Sequence, residues 1–454
     1  MRNLAVCFAI LASAIAAPAC AGPLITERVN VNPTTGTQAD GVSSSPVLSA
    51  DGCVVAFVSQ SGTLAPASYA LTKTSPAQIY AVNRCVTPHT LELVSVTNDG
   101  TAAADRTCLA PNISADGRYV AFVTAATNLP VPGSGQNGSG QLAFVRDRTA
   151  HTTSSPLEAW RMNNSGVGVD GTAALRYMSA DASKFAFNFA STPALQQNYY
   201  VVNYSGGVTT FQGMCPALSN ACLAGTSNYM TISADGSTVL LESSYAFAAG
   251  GTNGIYGVYS YDVATTAATL VSATANGTPA NASDEPYSDI GLSGDGHVAA
   301  FASDIATNFP GNTTDTLLLK NVTTGAVTLI SATSDGTPVK IGYGAALPQL
   351  STDGSRLAFT SDHSELAPHF NKALYDALVA DLTLGRLGSA CISASGSYGR
   401  FGCDGVTISA DGKWAAFRSI SDNLVPNDTN TDPDIFVVSL DAAVDVVFAE
   451  GFES

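Results

Sequence analysis

The side chains best suited to holding an ion are gathered in Asp428-Thr429-Asn430-Thr431-Asp432-Pro433-Asp434. Alternate residues there, Asp428, Asn430, Asp432 and Asp434, present four oxygen groups in a short loop, and calcium accepts hard ligands of this kind. The series is not an EF-hand: Pro433 stands where that loop needs Gly, and Ser439 where it needs Glu. Calcium is the one cofactor expected, and the competing reading is a polar loop whose last Asp caps the next strand. Of the five histidines, His363 and His369 lie six residues apart with Asp362 and Glu365 near them. A catalytic or metal role would need further partners that no other segment supplies. No Gly-x-Ser-x-Gly elbow is present for nucleophilic catalysis. The glycine-rich stretch Gly133 to Gly138 lacks a following Lys-Ser/Thr and a strand–helix setting, so it reads as turns rather than a phosphate cradle. Tyr199, Tyr200, Tyr204, Tyr256, Tyr259 and Tyr261 would either line a binding surface or pack between strands. No catalytic residue is assigned.

Charge narrows the partners. The 454 residues carry 36 acidic against 19 basic side chains, a formal net charge of -17, with 45% hydrophobic and 12% charged residues. The apolar content is ample for a folded core. The acidic balance leaves no basic surface to neutralise phosphates, which argues against nucleic acid and against docking on an anionic membrane.

Residues 1–21 read as a signal peptide. Met1-Arg2 is a short positive segment, Leu4 to Ala17 an apolar run, and Ala19-Cys20-Ala21 an Ala-x-Ala-like cleavage site. A lipidated Cys20 is the alternative, although Ala-Pro-Ala before it fits that pattern poorly. The run is too short for a membrane-spanning helix and no other stretch is longer, so no transmembrane segment is expected. The mature chain, residues 22–454, is expected in the periplasm or outside the cell.

The elements that must position these groups are set by a repeat. A short apolar strand ends in Ser-x-Asp-Gly and is followed by an apolar strand that usually contains Ala-Phe. The seven turn aspartates are Asp51, Asp116, Asp181, Asp235, Asp295, Asp353 and Asp411, spaced 54 to 65 residues apart. Asp bonds its own backbone two residues on and Gly accepts positive φ, so each copy is a tight hairpin turn. The third copy has Ala182 in place of Gly, and its turn should be slightly strained or of another type. Two further strands fit in each period. One is exemplified by Ile79-Tyr80-Ala81-Val82, the other by Leu93-Val94-Ser95-Val96, Leu270-Val271-Ser272-Ala273 and Leu329-Ile330-Ser331-Ala332. Four short strands per repeat make a propeller blade. The fold class is therefore all-β, a single seven-bladed β-propeller with four-stranded antiparallel blades. Residues 24–32 are expected to supply the outer strand of the last blade, with Val444 to Phe448 the competitor for that edge.

Topology also prunes the disulfides. Cys7 and Cys20 leave with the signal. Cys53 opens the second strand of blade one and Cys85 ends its third, which places them side by side. Cys215 with Cys222, and Cys391 with Cys403, would staple the loops between blades three and four and between six and seven. Cys108 is left over, and Cys85 with Cys108 is the alternative pairing. Without Cys-x-x-Cys, neither a redox centre nor a zinc knuckle has support.

The repeat resembles the TolB-like, or PD40, β-propeller family, in which a Ser-Pro-Asp-Gly turn precedes an Ala-Phe strand. The last copy shows the pattern most fully in Ser409-Ala410-Asp411-Gly412, Ala416-Phe417, Asn423-Leu424-Val425 and Asp434-Ile435-Phe436-Val437. The resemblance covers most of residues 44–440 and departs in having Ala, Gly or Thr for the family's frequent Pro. It implies an envelope propeller, and some propeller-shaped lyases with a similar repeat use clustered loop histidines and a metal. The expected function is an exported, non-catalytic binding or scaffolding protein for an envelope or extracellular protein or glycan. The alternative is a secreted polysaccharide lyase or hydrolase acting at the propeller mouth. The seven turns look structural, so binding is expected on the opposite face, where the loops 59–77, 125–140, 281–289, 304–316, 362–373 and 420–433 gather.

Overall fold

The computed structural model describes residues 24–130, 142–156, 168–169, 177–190, 198–205, 208–214, 229–273, 290–303, 316–333, 336–341, 347–366, 375–440 and 450–451. Seven antiparallel sheets form seven blades. In blade one Ser43–Leu48 is innermost, followed outwards by Val54–Ser59, Gln78–Asn83 and Thr90–Leu93. The other blades repeat this order. In blade seven the inner three strands are Cys403–Ile408, Trp414–Ser419 and Asp434–Ser439, and the outer strand is Thr26–Arg28, with Thr26 opposite Val438 and Arg28 opposite Phe436. The first described strand thus closes the sheet of the last blade. The C-terminal pair Glu450–Gly451 lies elsewhere, as a fifth strand on blade six against Arg386–Ser389. Residues 1–23 and 441–449 lie outside the described residues, and the expected signal peptide and Val444 to Phe448 with them.

Why this sequence makes blades is visible in the burial. The second and third strands run Val-Val-Ala-Phe-Val or Leu-Leu-Leu-Lys because both faces are covered by neighbouring sheets. The described residues hold seven apolar clusters, each filling one gap between adjacent blades. Tyr199, Tyr259 and Tyr261 are buried in the gap between blades three and four, so these tyrosines are packing residues.

The Ser-x-Asp-Gly turn is one hydrogen-bonded module, seven times over. The Ser hydroxyl donates to the Asp Oδ1 at 2.5–2.7 Å. That same Oδ1 accepts the backbone N–H two residues on, at 2.9–3.0 Å. The Ser oxygen in turn accepts the N–H five residues ahead of it, at 2.8–3.0 Å. Ser and Asp together satisfy donors that the turn would otherwise leave orphaned.

The residue between them closes the ring. The N–H of Ala50 donates to Ala115 O, Ala115 to Ala180, Ala180 to Ala234 and Ala234 to Gly294, at 2.7–2.9 Å. The belt continues from Asp295 N to Thr352 O, Thr352 N to Ala410 O and Asp411 N to Ala50 O, at 2.8–3.0 Å. Ala, Gly or Thr replaces Pro because four of these turns and Thr352 spend that N–H on the next blade, and Pro has none to give.

One detail departs from the sequence reading, and another takes the strained form of the two the sequence allowed. The outer strands end at Leu93, Leu270 and Leu329, three residues earlier than the pattern suggested. The following Val-Ser or Ile-Ser is a buried connector in which Ser95, Ser272 and Ser331 accept the N–H of Ile79, Val258 and Leu317. The third turn keeps the common type, with Ala182 at φ +58° where six copies hold Gly. Ala182→Gly should therefore raise stability by about 0.5–1 kcal/mol, the left-handed cost to a Cβ less the extra freedom of Gly unfolded. The midpoint of urea unfolding reads it. Deleting residues 22–33 should lower the melting temperature in one cooperative transition, because it strips the outer strand from blade seven. A truncated chain that melts like the intact one would show that another segment carries that edge.

Candidate functional site

Each inner strand starts at the end of the channel away from its turn, and at that end three of them break register. Blade one slips between Ser44 and Val47, blade two between Leu109 and Asn112, and blade seven between Asp404 and Thr407. The inserted residues take positive φ: Ser45 +52°, Ala110 +48° and Gly405 +59°. Leu347, just before the inner strand of blade six, does so at +35°. Three of the four are non-Gly residues, each at a cost of about 1 kcal/mol or more. Bulges next to open ends commonly re-aim side chains around a site. Here they line a cavity of about 390 Å³ with Ser45, Pro46, Leu109, Pro111, Leu347 and Val406. Tyr177 pins the second bulge from blade three, its buried hydroxyl donating to Ala110 O at 2.8 Å.

One ion pair stands at this mouth. Arg418 Nη2 lies 2.8 Å from Asp404 Oδ2 across adjacent strands, both about one-third exposed. Burial pushes the Asp404 carboxyl up, and the Arg418 guanidinium opposes it. Exposed Phe401 and Ile420 flank the same two strands further out. At the other end the channel narrows to a cavity of about 90 Å³ lined by the belt residues. The open end therefore offers an apolar wall, the Asp404–Arg418 salt bridge and backbone groups turned by the bulges, with Arg400 and Asp422 paired at 3.3 Å further out. Such an arrangement suits binding.

The loop singled out for calcium is built around a guanidinium. Arg28 Nη1 lies 2.8 Å from Asp428 Oδ1 and 3.2 Å from Asp434 Oδ2. Asp434 Oδ1 also accepts Asn30 Nδ2 at 2.6 Å, and Asn430 Nδ2 donates to Ala39 O at 2.9 Å. Asp432 is half-buried in the same loop. Burial raises the Asp434 carboxyl to about 6, with Asn30 and Arg28 pulling against it. A divalent ion would have to displace Arg28 to use both carboxylates. Among the described residues no group of three His, Cys, Asp or Glu could hold a metal. His363 Nδ1 is 3.5 Å from Glu365 and its Nε2 3.7 Å from Asp362, in an exposed loop; His369 lies outside the described residues.

The turn aspartates are exposed on the opposite face, with Oδ1 committed to the turn. Cys53–Cys85 and Cys391–Cys403 are bonded, and Cys108 is a buried free thiol pushed up to about 12 by burial, which makes it unreactive. Cys215 and Cys222 lie outside the described residues. Sequence reasoning missed the bulges. For two of them the signal was there, in Pro46 and Pro111, each three residues before the motif Ser, and Pro348 marks Leu347 in the same way; the bulge of blade seven has Val406 at that place and no such mark.

No protein-family model matches the chain, and no curated protein matches it by sequence. Solved structures match by fold. An oligogalacturonate lyase in complex with manganese is 11% identical with a TM-score of 0.53, covering 92% of this chain and 96% of its own. The β-propeller domain of the Trilobed protease from Pyrococcus furiosus is 11% identical with a TM-score of 0.43, over 83% and 90%. A prolyl endopeptidase is 11% identical with a TM-score of 0.47, over 87% of this chain and 50% of its own. The likeness to the first of these supports the fold alone and nothing finer.

A buried carboxylate yields the test of this region. Asp376 opens the third strand of blade six, in the place that Gln78 and Asp434 hold in blades one and seven, each opposite a Ser. Burial raises it to about 7, although Ser389 Oγ donates to it at 2.7 Å. A carboxylate raised above its unfolded value of 3.8 favours the folded state while protonated, so its contribution fades as pH climbs towards 7. Asp376→Asn should gain on the parent by about 3 kcal/mol between pH 5 and pH 8, and its advantage should vanish only as pH falls to about 4. Urea midpoints at the two pH values decide it; a pH-independent difference would contradict the assignment.

Proposed function

We propose that this chain is an exported, non-catalytic binding propeller of the TolB-like, PD40 kind that captures an envelope or extracellular protein or glycan at the open mouth of its channel. The observation that carries the reading is the set of strained bulges in blades one, two and seven, joined by Leu347 of blade six, around one cavity. Strain of this kind persists where the surroundings fix it, and it clusters at ligand sites. The described lining pairs its acid, Asp404, with its base, Arg418, an arrangement that suits recognition. Residues 1–21 supply the export step in this reading, and the two disulfides suit an oxidising compartment. No helix among the described residues is long and apolar enough to cross a membrane.

The purified chain is to be screened against arrays of envelope glycans and peptides, with and without calcium. Arg418→Ala should weaken capture at least about tenfold, by removing the partner of a half-buried carboxylate. Asp116→Asn, on the turn face, should leave capture unchanged. Turnover of any polysaccharide or peptide would overturn the non-catalytic reading and favour the lyase or hydrolase. Loss of capture in Asp116→Asn alone would move the site to the other face.

A further inference from the structure

The outer edge of a blade is a row of backbone donors and acceptors that invites another strand. Most blades here guard it. Blades two, four and five end in three-residue strands, Thr152–Ser154, Ala268–Leu270 and Val327–Leu329. Blade one places Glu92 in its outer strand, paired with Arg148 at 2.5 Å. Blade seven's three-residue edge carries Glu27 and Arg28, and blade six is covered by Glu450–Gly451.

Blade three differs. Its outer strand, Val208–Gly213, is six residues long, reads Val-Thr-Thr-Phe-Gln-Gly, and holds no charge and no proline. It pairs along its whole length with Asn198–Ser205 on the inner side, and among the described residues no strand pairs with its outer side. Val208 is 66% exposed, the most exposed of the large apolar side chains described. No bulge interrupts its register.

We propose that this edge is a self-association surface, where Val208–Gly213 of one copy pairs antiparallel with the same strand of a second copy. Two arguments select a second copy. An antiparallel edge is self-complementary about a two-fold axis, so identical strands satisfy each other's backbone groups and join two four-stranded blades into one eight-stranded sheet. In a chain of net charge -17, this uncharged stretch is also a place where two copies meet without direct charge repulsion. The remaining, long-range repulsion is screened by salt, so association strengthens as ionic strength rises. A basic partner held by charge would show the opposite trend.

Sedimentation velocity of the intact mature chain over a range of concentration and salt tests this. The expected result is a reversible dimer that tightens with salt. Thr210→Lys, at an exposed position mid-strand, puts like charges close across the axis and should raise the dimer dissociation constant at least about tenfold. Thr210→Ser should keep the dimer, and both variants should melt like the parent. A chain that stays monomeric throughout overturns the proposal, as does a dimer indifferent to Thr210→Lys. If the monomer instead binds an extended segment of another protein at this edge, and Thr210→Lys blocks it, the second-copy assignment also fails. None of these outcomes depends on what the channel mouth binds.

Discussion

The belt of backbone hydrogen bonds that runs from turn to turn around the axis is the constraint from which the rest follows. Each blade donates one N–H to the next, and the last returns to the first through Asp411 N and Ala50 O. A closed belt fixes the number of blades, because each turn must meet its successor at the same distance and angle. It also explains why the turn is so uniform. The Ser and Asp satisfy the donors within the turn, which frees the intervening residue to face its neighbour. That residue must be small, because seven of them converge at the axis, and in blades one to four and six it must keep an N–H to donate. Even the Gly has a neighbour to accommodate: a Cβ on Gly52 would lie 2.4 Å from Trp414, and one on Gly117 2.6 Å from Val54, each in the preceding blade.

Closing one end of the channel decides where function can sit. With the belt drawn tight, the turn end retains only the small cavity. The other end has no such belt running from turn to turn: backbone bonds tie Ser43 N to Pro433 O, Cys108 N to Ala77 O and Cys403 N to Tyr375 O at 2.8–3.0 Å, and the inner strands of those three blades bulge just beyond these ties. The loops around it are still braced. Asn128 and Asn423 each accept an N–H from the segment before the inner strand, from Asp105 and Arg400, and donate to Ala103 O and Tyr398 O at 2.8 Å. Their neighbours Leu129 and Leu424 are buried beneath. The Asn-Leu pair of the repeat is thus a strut for the rim, which holds the mouth open on a rigid frame.

How much of this the sequence disclosed depends on whether a feature is local. The turns were legible because Ser, Asp and Gly act within five residues of one another, and the seven blades followed from counting them. Cys53 and Cys85 were legible because antiparallel strands place their ends together. The outer strands were misplaced by three residues, since a buried Val-Ser-Val connector has the same alternation as a strand. The bulges were not read, because a left-handed residue before Pro leaves only a weak trace in blades one and two, and in blade seven Gly405 precedes Val406 with no Pro at all. The loop from Asp428 to Asp434 was read for its own oxygens alone, whereas its partner, Arg28, lies about 400 residues away in sequence. No spacing rule reaches that far.

That distant pairing bears on how the ring closes in register. The closing strand is only three residues long, and a slip of one residue would turn every side chain to the opposite face. Apolar packing alone specifies register poorly over so short a segment, although Val29 joins Ile435 and Val437 in the core of this seam. The polar groups are more exacting. Arg28 meets two buried carboxylates only in the observed register, Asn30 reaches both Asp434 and Ser43, and Glu27 pairs with Arg84, whose guanidinium stacks 3.8 Å over Trp414. Any slip would leave Asp428 and Asp434 buried without their cation, which costs far more than the intact pairs contribute. Buried charge here adds little net stability and instead makes the wrong closures unfavourable. The carboxyl of Asp434, raised to about 6 by burial, is a measure of the desolvation accepted in exchange for that selectivity.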